Sequence, residues 1–302
     1  KSQTDNIAKE DAYTLALFAQ DEIKLLRNLQ ALIGVRYIYH ENFKNHATPN
    51  VALMYKPGKF NFRASYAAGF RTPTLSELYA TDIAKKNDRL TIGNLDLKPE
   101  KNNYFSLSAE YVHERFSVSV NAFYNNIRDM IDYNTIATGD KAMEQYGHKE
   151  VRQRDNIAEA KVHGINVSAN AYLGAGFNLS GGYTHLNTQD VELEQPIDKS
   201  IKNAYNINAQ WAHSWKIYRL NINLNGRINS KRFSKSYGYA PEYQLWDLNT
   251  RHSFNLKSVI IEPGFGMENL FDYMDDRPYN SNYATLTPGR SFYISLSLKF
   301  KS

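Results

Sequence analysis

The sequence contains no cysteine. Neither a disulfide framework nor a thiolate metal site can form within it. It has no apolar run of about 18 residues, so no stretch suits a transmembrane helix. Tryptophan is scarce, 3 residues against 22 Tyr and 15 Phe. The net charge is only +5, with Lys and Arg scattered along the chain. There is no basic stripe and no nucleic-acid fold module, which argues against a nucleic-acid partner. No Gly-rich phosphate loop, GxSxG or HExxH is present, and no histidine pair has i,i+4 ligand spacing. Catalytic residues and a resident metal site are therefore not expected. The opening Lys1-Ser2-Gln3-Thr4 lacks the apolar core of a signal peptide. The expectation is a mature chain, or one that begins partway through something longer.

What the chain has is alternation. Phe60, Phe62, Ala64, Tyr66, Ala68 and Phe70 place an apolar side chain at every second position, the period of a strand with one greasy face. Ala31, Ile33, Val35, Tyr37 and Tyr39 repeat the pattern, as do Tyr205, Ile207, Ala209 and Trp211 against Asn206, Asn208 and Gln210. Thirteen strands are predicted, over 11–24, 28–40, 49–56, 60–71, 103–113, 115–132, 149–172, 176–187, 201–213, 218–231, 243–256, 259–270 and 288–300. Several exceed the usual globular length and suit a tilted bilayer crossing. Short connections near 25–28, 57–59, 113–115, 173–176, 214–217 and 257–258 alternate with long ones at 41–48, 72–102, 133–148, 188–200, 232–242 and 271–287. A spanning barrel has short turns on one side and long loops on the other, whereas a sandwich has no need of that rhythm. The fold class expected is all-β, a transmembrane antiparallel β-barrel. The abundant Tyr suits its two membrane–water interfaces. Phe292, Ile294, Leu296, Leu298 and Phe300 give a terminal amphipathic strand. An odd strand count sits badly with closure, and open edges are not viable in lipid. A part of a larger barrel is therefore expected.

Ordered motifs carry a resemblance. Phe70-Arg71-Thr72-Pro73, followed by Gly93-Asn94-Leu95-Asp96-Leu97-Lys98-Pro99-Glu100, resembles the paired boxes of TonB-dependent outer-membrane receptors. Phe123 to Ile131, Ala158 to Asn166, and Asn269-Leu270-Phe271-Asp272 resemble later family strands, and Pro288-Gly289-Arg290 opens the last one. The family fold is a 22-stranded barrel filled by an N-terminal plug. The resemblance implies that residues 1–302 form the C-terminal portion of such a barrel, with the plug and the first nine or so strands absent from this chain. It also implies an outer-membrane location and active transport rather than catalysis. The cargo implied is a ferric siderophore or haem, with cobalamin as the alternative, bound as a transported ligand and not as a permanent cofactor. Implied partners are membrane lipid and lipopolysaccharide, the N-terminal half of the barrel with its plug, TonB through that missing part, and a surface-exposed lipoprotein. A passive porin and a soluble sugar-binding β protein are the competing readings from other classes.

Candidate ligand contacts fall in the long loops. The haem branch of the family has a histidine between its boxes. Residues 74–92 have none, and Tyr79 is the phenolate candidate there, or packs a short helical turn beneath the loop. His148 is the loop histidine candidate, or an ordinary wall residue. Arg232, Tyr237 and Tyr239 in one loop and Tyr279 in another suit an anionic aromatic chelate, or an aromatic girdle beside lipopolysaccharide. Arg71 is expected to point into the lumen and pair with a carboxylate, for which the plug is a candidate source.

Overall fold

A computed structural model describes residues 10–157, 159–234, 238–275 and 288–301. The alternating segments form β1 (Thr14–Leu26), β2 (Leu29–His40), β3 (Lys44–Tyr55) and β4 (Phe60–Arg71). After β4 come α1 (Leu75–Tyr79), β5 (Thr81–Ala84) and β6 (Arg89–Ile92). Then follow β7 (Glu100–Val112), β8 (Phe116–Arg128), β9 (Met130–Thr138), α2 (Gly139–Tyr146) and β10 (Glu150–Ile157). The remainder is β11 (Ala160–Gly174), β12 (Phe177–Asp190), β13 (Asn203–Trp215), β14 (Tyr218–Asn229), β15 (Arg232–Ser234), β16 (Gly238–Ala240), β17 (Tyr243–Asn255), β18 (Val259–Glu268) and β19 (Ser291–Phe300).

Thirteen of these make one sheet in the order β1-β2-β3-β4-β7-β8-β11-β12-β13-β14-β17-β18-β19, with β1 and β19 at its edges. Every pairing in it is antiparallel. Register carries the apolar face from strand to strand. Leu53 faces Ala64, Ala64 faces Leu107, Leu107 faces Ala122, and Ala122 faces Ile165. These side chains stay exposed although they are apolar, Leu107 at 62% and Ile294 at 77%. An apolar face left open on long strands is what lipid covers. Asp21 interrupts it in β1. Aromatic pairs ring both ends: Phe60–Tyr111 and Trp215–Tyr218 near the short turns, Tyr66–Phe105 and Tyr183–Tyr205 toward the long loops. The opposite face holds Ser, Asn and Gln, as in the Ser65–Ser106 and Asn208–Asn223 hydrogen bonds.

This two-sided surface yields a first expected outcome. Leu107→Arg in the full receptor should destabilise it by about 2–4 kcal/mol, the cost of a cation facing lipid near the midplane. Ser108→Arg, one residue away on the inward face, should cost far less. Urea unfolding in lipid vesicles measures both, and equal losses would contradict the assignment of faces.

Several expectations are corrected. The connection at 41–48 shrinks to Glu41–Phe43, because Lys44 adopts a left-handed φ of 61° and its Nζ donates to the Glu41 carbonyl at 2.9 Å. The strand expected over 115–132 leaves the barrel at Asp129, whose φ is 56°. The strand expected over 149–172 is two strands, of which β11 alone belongs to the barrel. The stretches 72–102 and 133–148 are not irregular: they contain α1, β5, β6, β9 and α2. The loop at 232–242 holds the β15–β16 hairpin.

Candidate functional site

The two largest loops fold together above the barrel. Strands β5, β6, β10 and β9 form a second sheet in that order, with β10 parallel to β6 and antiparallel to β9. Parallel pairing requires a long crossover, here the excursion through the barrel by β7 and β8. One face of this sheet is a core of Leu90, Ala137, Ala142 and fully buried Val151, with Ile83, Ile92, Ile136 and Tyr146 around it. Helix α2 covers that core through Ala142 and ends at Gly147, whose φ of 73° suits the left-handed cap that glycine adopts without strain. A second cluster of Leu78, Leu97 and Ile131, flanked by Phe43 and Tyr79, lies where the cap joins the barrel. We refer to residues 72–99 and 129–157 together as the cap.

Polar contacts pin the cap to the strand tops. Arg71 at the end of β4 donates from Nε and Nη2 to Glu100 at 2.6 and 2.5 Å, and from Nη1 to Glu77 at 2.9 Å. Glu100 also accepts the Ile131 N–H at 2.8 Å. Glu77 closes a capping box with Thr74 at the start of α1. Both carboxylates of the Arg71 pairs lie in this chain, on α1 and β7, and Arg71 is 42% exposed rather than buried. Arg71 shares the inward parity of Arg63 and Ser65, and the carboxylate pairing expected of it is made at the rim with partners inside this chain. Asn156 accepts the Lys98 N–H at 2.6 Å and donates to the Lys98 and Asp129 carbonyls, holding the left-handed bend. His148 and Asp88 meet at 2.9 Å and tie the β5–β6 turn to the start of β10.

These contacts set a pH dependence. Burial pushes the Glu77 carboxyl up, but hydrogen bonds from Arg71 and from the Thr74 N–H and hydroxyl outweigh it and leave it below the usual carboxylate range. The hydrogen bond to His148 likewise holds Asp88 low. A carboxyl lowered on folding stabilises the fold above its ordinary value, about 4, and that contribution is lost as pH falls through the lowered value. Proteolysis of the cap should therefore be unchanged between neutral and mildly acidic pH and rise below the ordinary carboxylate range. A cap that resists protease better on acidification would contradict this.

The family-box residues have structural places. Phe70 stacks on His46 with centroids 3.7 Å apart, Pro73 is buried before α1, and Leu97 is 3% exposed in the lower cluster. Asn94 accepts the Asp96 N–H in a tight turn, and Pro99 is half-buried beside Glu100. Asn269 is buried with φ 52°, accepts the Tyr273 N–H, and donates to the Tyr273 and Pro288 carbonyls. It closes the base of its loop. The Leu270 N–H donates to the Trp246 carbonyl, and the Phe271 ring, 61% exposed, lies edge-on to Trp246.

The candidate ligand residues divide between two places. Tyr79 packs at the lower cap cluster and His148 on Asp88, both within the cap. Arg232 and Tyr239 lie in the β15–β16 hairpin, where Tyr239 is 56% exposed and edge-on to Phe233. Lys199 and Ser200 of the preceding loop bond to the Phe233 backbone, so that loop and the hairpin form one cluster. Tyr237 and Tyr279 lie outside the described residues. The cap contacts of Arg71, Glu100 and Asn156 were not foreseen as a set. The carboxylates flanking the boxes, Glu77 and Glu100, were the available signal.

Comparison with known proteins bears on this architecture. Residues 2–270 match the family model "TonB dependent receptor-like, beta-barrel". A variant of the ferric enterobactin receptor PfeA of Pseudomonas aeruginosa superposes with a TM-score of 0.76 at 20% identity, covering 95% of this chain and 45% of that one. The siderophore receptor PirA of Acinetobacter baumannii gives 0.74 at 17% identity, over 97% of this chain and 47% of that one. The copper transporter OprC gives 0.74 at 12% identity, over 96% and 48%. At these identities the likeness speaks to the fold, and this chain spans under half the length of those structures. The chain belongs to the TonB-dependent receptor family and forms a C-terminal part of its outer-membrane β-barrel.

Proposed function

We propose that this chain is the C-terminal wall of an outer-membrane transporter that takes up a ferric siderophore in a TonB-dependent manner. The family match over residues 2–270 carries the transport reading. The siderophore reading is supported by receptors for ferric enterobactin and other siderophores among the similar structures. In this reading the edges β1 and β19 pair with the remaining strands of the barrel, and a plug fills the lumen and couples to TonB. Ligand contact falls on the β15–β16 cluster, on Arg232, Tyr237 and Tyr239, and on Tyr279, where flat aromatic rings and cationic groups suit an anionic chelate. Tyr79 and His148 serve the cap that frames the entrance. Haem fits less well, because the segment between the boxes has no histidine, and cobalamin remains the alternative cargo.

Growth of a gene-deleted strain on single sources tests this. Growth should fail on a ferric catecholate siderophore and persist on haem and on cobalamin. Loss on cobalamin alone would overturn the siderophore assignment.

A further inference from the structure

The inward face of the sheet is not uniform. Below Asp190, the inward positions of β8, β11, β12 and β13 hold no Asp, Glu, Lys, Arg or His. Four adjacent strands thus present a neutral wall, chiefly hydroxyls, carboxamides and glycine. Several of its polar groups pair with one another sideways. Ser119 and Ser168 hydroxyls meet at 2.7 Å, Thr184 donates to Asn166 at 2.9 Å, and Asn208 donates to Asn223, on the next strand, at 2.7 Å.

The walls on either side differ. β4 and β7 carry Arg63 and Glu110 inward, and β14 and β17 carry Arg219, Arg227, Asp247 and Arg251. Among the described residues, Arg63 reaches Met54 Sδ alone, at 3.4 Å. Charges enclosed in a filled lumen require partners, so these flanks are the places where a plug is gripped. A neutral wall, part of whose hydrogen bonds are already made, offers a passing surface no charge to hold it and grips it weakly. Passage through a pore needs binding weak enough to release.

We propose that the translocation path opens along the neutral wall of β8, β11, β12 and β13, while the charged flanks stay in contact with the plug. The surface suits cargo that shows hydroxyl, amide or carbonyl groups to the wall, and it neither traps nor repels a net charge on the chelate. The proposal rests on the transport reading above.

The test uses the full-length receptor, freed of any other cysteine, in its own iron-starved cells. Single substitutions Ser168→Cys and Asn208→Cys probe the neutral wall. Ser65→Cys and Ser253→Cys probe the inward face beside Arg63 and Arg251. Labelling by fluorescein maleimide is compared in cells with and without TonB. The expected result is a several-fold TonB-dependent rise in labelling at Ser168→Cys and Asn208→Cys, with little change at the other two. A rise confined to the charged flanks, or equal on all walls, overturns the path and leaves the transport reading intact. No TonB-dependent change at any position overturns both.

Discussion

Replacing Arg71 by alanine is expected to loosen the extracellular cap by about 2 kcal/mol while leaving the barrel folded. Among the described residues the guanidinium is the one cation paired with both Glu77 and Glu100, whose side chains are 13% and 17% exposed. Removing one member of a buried ionic network costs about 3–5 kcal/mol, because the carboxylates left behind are poorly solvated. Arg71 itself is 42% exposed, and solvent screening reduces the figure. Arg71→Lys should recover only part of the loss, since an ammonium cannot reproduce the two parallel bonds to Glu100. Glu100→Gln on the Arg71→Ala background should recover some of it by removing one orphaned charge. Limited proteolysis of the receptor in outer-membrane vesicles reads the cap directly. Unchanged protease resistance in Arg71→Ala would show that the network is incidental.

Val151→Asp is expected to have the larger effect. Val151 has no exposed surface and sits on β10, the strand that joins both loops through β6 and β9. A carboxylate there must ionise without solvent or partner, at a cost of several kcal/mol. A small sheet with one compact core has no reserve of that size. Both segments, 72–99 and 129–157, should become protease-sensitive together at neutral pH. The barrel should keep its resistance to unfolding by detergent at room temperature. Cleavage confined to 129–157 would mean that the two loops fold separately.

The two variants probe what was hardest to read from the residues. The barrel was legible because lipid and lumen impose period two, so Phe60 to Phe70 and Tyr205 to Trp211 announce their faces. The ordered motifs, ending at Asn269-Leu270-Phe271, placed the chain in its family. The cap was not legible in the same way. Its parallel β6–β10 pair joins Leu90 to Val151 across the whole β7–β8 hairpin, and no local periodicity marks such a contact. The β-bulge that leaves Ile136 unpaired opposite Val151 and Arg152 also breaks the alternation that would have exposed β9 as a strand. Some signals were present and simple. Gly147 ends a helix, and Thr74 with Glu77 begins one. Arg71 needed a carboxylate; Glu77, the nearest in sequence, is one of the two that supply it, and Glu100, its cross-strand partner on β7, is the other. The proposed ligand cluster was legible only as composition, aromatic and basic residues in a long loop, because binding depends on how separate loops meet.

Receptor-dependent accumulation of radioiron from a ferric catecholate, compared in cells with and without TonB, tests the transport reading most directly. Accumulation should require both the receptor and TonB, and should vanish when either is deleted. Equal receptor-dependent accumulation without TonB would mean a passive pore and would contradict the assignment.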